Sequence, residues 1–166
     1  MHPILRYTAA ALLTGAIPLT ASAMSRKPEC TVRFHMEVRA TEKDPFSIPV
    51  KLQNPPRQIF MESTASISER QIQAIHVFPA NDGTWGCLFK LDDSGRLTLS
   101  NLSASNRGRT LVVYVGSDKI TRQVIDIFID RPVNDGMIPI MRGLTYPETE
   151  LLKKKFPVAI KPTDKP

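Results

Sequence analysis

Histidine and cysteine are scarce in this chain, with three and two among 166 residues, and there is a single tryptophan. His35 and His76 stand far apart, with no His/Cys/Asp cluster around either. A structural or catalytic zinc site is therefore not written in the sequence. No serine lies in a Gly-x-Ser-x-Gly elbow; Ser94, Ser100, Ser103 and Ser105 fall in one polar helical stretch. No glycine-rich loop is placed to cradle a phosphate. Cys87 alternates with Phe89 and Leu91, so it belongs to an apolar strand face, where a thiol is not activated. Asp92 and Asp93 open a helix, where carboxylates cap free N–H groups and complement the helix dipole. These absences predict no catalytic residue, no metal and no cofactor. Long apolar runs are lacking as well. Beyond residue 23 no stretch is long and apolar enough to cross a bilayer, so the mature chain is expected to carry no membrane span.

What is present suits one domain. Hydrophobic residues make up 42% and charged residues 23%, enough to build a core at this length. Lysine and arginine total 22 against 16 acidic residues, a net charge of +6. The cations are scattered and do not interleave with aromatics in a stacking pattern, so a nucleic-acid partner is not expected. Residues 1–23, MHPILRYTAAALLTGAIPLTASA, read as a signal peptide. Arg6 precedes an apolar stretch from Tyr7 to Leu19, and Ala21-Ser22-Ala23 forms a small-x-small cleavage signal. The mature chain is expected to begin near Met24 and to be exported, periplasmic or secreted. Lys27-Pro28-Glu29 precede Cys30 where a lipoprotein would need small apolar residues, so lipidation is not expected.

The remaining pattern predicts α+β: a single domain over residues 24–160, mostly antiparallel sheet, with two main helices packed on one face and a disordered tail over 161–166. CTVRFHMEVRA alternates, with Val32, Phe34, Met36 and Val38 inward and His35 on the polar face. FSIPVKL is a shorter strand that Pro49 marks as an edge, and NPPRQIFME supplies a turn and a third strand. SISERQIQAI reads as a short helix capped by Ser66 or Ser68. After the Asn81–Gly83 turn, TWGCLFKL is a strand. A helix over Ser94–Arg107 places Leu99, Leu102 and Asn106 on one face and ends at Gly108. TLVVYV is apolar on both faces and reads as central. ITRQVIDIFID alternates, with Ile125, Ile127 and Ile129 on one side, and MIPIM is expected to pair back across PVNDG. Thr145 and Glu148 form a capping box for a helix over Tyr146–Phe156. FPVAI is a candidate last strand.

This order of elements resembles a known family. LDDSGRLTLSNLSASNRGRTLVVYV, two strands around NDG, and RGLTYPETELLKKKFPVAI are similar to the head subdomain of the first periplasmic domain of SecD. The matching positions are Asp93 and Gly95, Asn106 and Gly108, Leu111–Val115, Gly136, then Gly143, Thr145 and Glu148, and the exit Phe156-Pro157-Val158. The resemblance runs from about Ile67 to Ile160. SecD proteins carry transmembrane helices that this sequence lacks, and their glycine-rich turn is VGSDK here. The resemblance implies a fold and an exported location. It brings no catalytic residues and does not imply that this chain drives translocation.

Two classes of function follow. One is an exported, non-catalytic binding or assembly domain that contacts a polypeptide or an envelope partner through a sheet face or edge strand. The other is a small exported enzyme whose site no motif reveals. Cys30 and Cys87 share the parity of inward residues on their strands, and export places them where disulfides persist. A Cys30–Cys87 bond is expected, against the alternative of two buried free thiols.

Overall fold

The computed structural model describes residues 30–39, 44–53, 55–117 and 120–158. The expected signal peptide, the cleavage point at Met24, the tail over 161–166 and the last two residues of FPVAI lie outside these residues; within the described part of FPVAI, Val158 forms an isolated parallel bridge with Ile75. Nine strands are described: β1 (Cys30–Val38), β2 (Ser47–Gln53), β3 (Pro56–Glu62), β4 (Ile67–Ser68), β5 (Ile72–Pro79), β6 (Trp85–Leu91), β7 (Thr110–Ser117), β8 (Ile120–Phe128) and β9 (Met137–Leu144). Two α-helices accompany them, α1 (Asp93–Ser105) and α2 (Tyr146–Lys155). The expected α+β class, with antiparallel strand pairing and two main helices, holds.

The strands divide between two sheets, and the smaller one covers one face of the apolar strand β7. One sheet runs β2-β3-β1-β7-β8, with β4 also paired to β1; the other runs β5-β6-β9. Leu111, Val113 and Val115 on β7 join Val32, Phe34 and Met36 on β1 in facing Ile75, Cys87, Phe89, Ile138 and Ile140 of the smaller sheet. Phe34 and Phe89 meet edge to face, their ring centroids 5.8 Å apart, a favoured aromatic geometry. Val112, on the other face of β7, packs instead with Leu52, Ile59 and Met61 of the β2–β3 hairpin. β7 is therefore buried on both sides, as its apolar sequence predicts, and β2, with Pro49, lies at the end of its sheet.

Helix α1 starts where Asp92 caps it, the carboxylate accepting the Gly95 N–H at 2.7 Å. Its buried residues are Gly95, Leu99 and Ser103, while Leu102 is only half-buried. The inward face is turned relative to the predicted Leu99–Leu102–Asn106 face because Gly95 lies against Gln71 and Leu91, where an added Cβ would stand 3.0 Å from each Cβ. Asn106 instead closes the helix, its Nδ2 donating to the Leu102 carbonyl. In α2 the predicted reciprocal contact is present: the Thr145 N–H donates to Glu148 Oε2 at 2.7 Å.

Three expectations are corrected. The short helix expected in SISERQIQAI is a 3₁₀ turn over Glu69–Gln71, followed directly by β5. Pairing with β6 buries Ile72, Ala74 and Ile75 together, which a helix would have spread around its axis. β9 pairs with β6 rather than back onto β8. The crossing segment is tied to α1, where Ser103 Oγ accepts the Val133 N–H and Ser100 Oγ donates to Asn134. The Gly136 carbonyl then takes the Leu91 N–H, fixing the register. In β8, a register shift opposite Val113 and Tyr114 inserts Val124 as an extra residue. Val124 and Ile129 are buried while Ile125 and Ile127 are half-buried, so the expected alternation breaks at that bulge.

Candidate functional site

The residues that would carry chemistry are each held by a structural partner. His35, expected on the polar face of β1, is buried beneath the β2–β3 hairpin. Its Nδ1 lies 2.9 Å from the Glu62 carbonyl. A carbonyl only accepts, so Nδ1 carries the proton. The ring stands edge to face with Tyr114 at 5.5 Å. Burial pulls the His35 pKa below 6.5, and Arg33 adds to that against the opposing Glu62 contacts. His76 is half-buried on β5 and stacks on Phe78 at 6.2 Å. The two histidines are not brought together. Among the described residues no group of three or more His, Cys, Asp or Glu side chains is arranged to hold a metal.

Cys30 and Cys87 do enter one core, both buried and both as free thiols. Burial pushes Cys30 up to about 11, opposed by Lys155 and reinforced by Glu69 and Glu148. Burial likewise pushes Cys87 up to about 12, opposed by a backbone hydrogen bond at His76 and reinforced by Cys30. Neither is a thiolate near neutral pH, which is what nucleophilic attack needs. The serines of α1 serve the fold. Ser103 is fully buried and donates to the Ser100 carbonyl, and Ser100 holds Asn134. Asp92 is the helix cap.

Two ion pairs that sequence reading missed tie elements together, one between β8 and α2 and one between the neighbouring strands β3 and β1. Arg122 of β8 grips Glu148 with two bonds, Nε to Oε1 at 2.7 Å and Nη2 to Oε2 at 2.6 Å, and also donates to the Gly143 carbonyl. Burial alone would raise the Glu148 carboxyl, but Arg122 and Thr145 outweigh it and hold the pKa below the ordinary value. Glu37 of β1 accepts from the Thr110 N–H at 2.8 Å and from Arg57 of β3 at 3.0 Å. A bidentate arginine–carboxylate pair is a recognition geometry in its own right. Here both pairs are spent within the chain. Only the Thr145–Glu148 spacing signalled either of them in the sequence.

Two recesses open near Phe128, which is 61% exposed at the end of β8. One, of about 290 Å³, is lined by Leu52, Arg57, Thr110, Asp126 and Phe128. Its charged groups are already engaged: Arg57 with Glu37, and Asp126 with the Gln123 amide. The other, of about 60 Å³, is an apolar cavity between the end of β8 and the start of β9, lined by Leu99, Leu111, Ile127, Ile138 and Pro139. Neither brings a nucleophile and a base to one point.

No protein-family profile matches the chain, and no curated protein matches its sequence. Solved structures do. A SecDF structure, described as a membrane component that enhances protein export, superposes with a TM-score of 0.51 at 11% identity, covering 81% of this chain and 67% of that one. SecDF in a super-membrane-facing form gives a TM-score of 0.50 at 12% identity, covering 81% of this chain but 20% of that one. The fold is SecD-like. The likeness covers more of the chain than the stretch from 67 to 160 that carried the sequence resemblance, and it does not single out the head subdomain. No described helix is long and apolar enough to cross a membrane.

Proposed function

We propose that this chain is an exported, non-catalytic binding domain, akin to the periplasmic head of SecD, that holds a polypeptide or an envelope partner. The observation that carries this reading is the SecD-like fold, shared with a component described as enhancing protein export. The chemistry of the side chains supports it. The two thiols are held protonated by burial, His35 is tied to a backbone carbonyl, and the strong carboxylate–arginine contacts bind β8 to α2 and β3 to β1. Under this reading residues 1–23 direct export and are removed near Met24, residues 24–160 form the domain, residues 161–166 are a disordered tail, and Cys30 and Cys87 become bonded after export. No cofactor takes part.

The test is saturable binding without turnover. Reduced, carboxymethylated α-lactalbumin, which cannot refold, is labelled and titrated with the purified chain by fluorescence anisotropy. The reading expects a saturable rise in anisotropy and an intact probe. No binding, or cleavage of the probe that a single substitution abolishes, overturns it. N-terminal sequencing of the exported fraction tests the leader: a chain still starting at Met1 would remove that part.

A further inference from the structure

The outward face of the β5-β6-β9 sheet departs from the usual alternation of an antiparallel sheet, which is apolar toward the core and polar toward water. The inward rows are Val77–Cys87–Ile140 and Ile75–Phe89–Ile138. The rows between them point the other way. His76, Leu88 and Pro139 form one, and Phe78 pairs with Gly86 beside it. Phe78, Leu88, Pro139 and Met141 belong to neither apolar cluster of the interior. Met141 is 61% exposed. A methyl group at Gly86 would collide with the Phe78 ring, so glycine lets that ring lie flat across the sheet. The only charged residue pointing out of the β6 centre is Lys90, exposed at one end.

We propose that this face is where the domain holds an apolar segment of another polypeptide whose flank is acidic. The inference rests on the polypeptide-binding reading above and adds the surface. The size of the patch selects the occupant. Three strands about 4.8 Å apart and about five residues long cover on the order of 250 Å². A stable dimer buries about 800 Å² on each partner, so a second copy of this chain does not fit the area. A helix is about 10 Å across and rises about 1.5 Å per residue, so roughly a dozen residues of an amphipathic segment match the patch. Lys90 sits at its end to meet a carboxylate, and the chain's net charge of +6 attracts the same sign. The apolar surface also continues around β9. Met137 and Pro139 line the cavity of about 60 Å³ beside Phe128, with room for one aliphatic side chain.

A photo-crosslinking phenylalanine analogue placed at Leu88 or Met141, and as a control at the exposed Leu97 of α1, tests this with carboxymethylated α-lactalbumin as the probe. The expected result is probe adducts at Leu88 and Met141 and none at Leu97. Leu88→Glu should also weaken the anisotropy titration at least tenfold while the unfolding midpoint stays near that of the parent. Adducts confined to Leu97 overturn the surface but leave polypeptide binding standing. Adducts between two copies of the chain at Leu88 overturn the choice of occupant. An anisotropy titration that never rises removes the underlying reading, and this inference with it.

Discussion

The core between the two sheets and the smaller core under the β2–β3 hairpin are built from different materials. The first is an apolar cluster, with Phe34, Phe89, Ile75 and Ile140 fully buried, and it holds two thiols that burial keeps neutral. The second packs Leu52, Ile59, Met61 and Val112 with Tyr114 at its margin, and His35 joins it edge to face with Tyr114. Glu37, Arg57 and Thr110 latch its rim. Burying hydrocarbon stabilises without regard to pH, whereas a buried imidazole ties packing to protonation. The inter-sheet core therefore sets the stability of the fold, and the hairpin is the region that solution conditions can loosen.

The largest effect should come from the inter-sheet core. Phe89→Ala removes a fully buried ring and its contact with Phe34, which should cost about 3–5 kcal/mol in urea unfolding. A loss within error would mean the sheets are not in register as described. Next is the thiol pair in the same core. With oxidised glutathione as acceptor, forming the Cys30–Cys87 bond gives up two protons and two electrons and yields two glutathione thiols. The closed loop exceeds fifty residues, so the chain-entropy estimate is about 4 kcal/mol before strain is subtracted. Alkylation of the denatured, unreduced exported protein should find no free thiol. Two alkylated cysteines would reject the bond.

A gentler substitution asks whether the cores act together. Ile59→Val trims one methyl from the hairpin core and should cost about 1 kcal/mol. If the hairpin unfolds with the rest, urea denaturation registers that loss in full. If it opens alone, global unfolding stays unchanged while hydrogen exchange quickens in β2 and β3 only.

The inter-sheet core was also the more legible of the two. Alternation in CTVRFHMEV and TWGCLFKL placed Phe34, Cys87 and Phe89 inward, and the apolar run in TLVVYV placed β7 centrally, because burial follows strand parity. The same rule misplaced His35. Parity says which residues share a face, and it is silent on whether a hairpin folds back to cover the second face. Likewise SISERQIQAI, residues 66–75, was read as a short helix because Ile72 and Ile75 fit a three-residue spacing that a bulged strand also allows, and the register shift between Ile72 and Ala74 is that bulge. The partner of β9 was hidden because the side-chain bonds from Ser100 and Ser103 that redirect the chain are long-range. Of the residues singled out for function, the cysteines were correctly assigned to one core. The outward row of His76, Leu88 and Pro139 was missed, since inward and outward apolar positions look alike until the sheet is placed.

The smallest and most local effect separates the cores by pH. His35 faces Arg33 and the Glu62 carbonyl, and Tyr114, with Asp126 beyond it, packs on its ring. Its folded pKa is depressed below 6.5, so the unfolded hairpin binds the proton more readily. The stabilising contribution is whole above pH 6.5 and shrinks as pH falls below that value toward the folded pKa. Glu148 acts in a lower window. Its depressed folded pKa contributes stability above about pH 4.5 that is lost only as pH falls further. Between pH 7.5 and 5.5, then, amides of Ile59 and Met61 should exchange faster after correction for intrinsic rates, while the Phe89 amide should not. His35→Asn supplies a side chain that can donate without titrating and should flatten the response in β3. An unchanged pH response in that variant would assign the sensitivity elsewhere. Equal acceleration at Phe89 would show that the two cores open as one unit and that their chemical difference does not divide the fold.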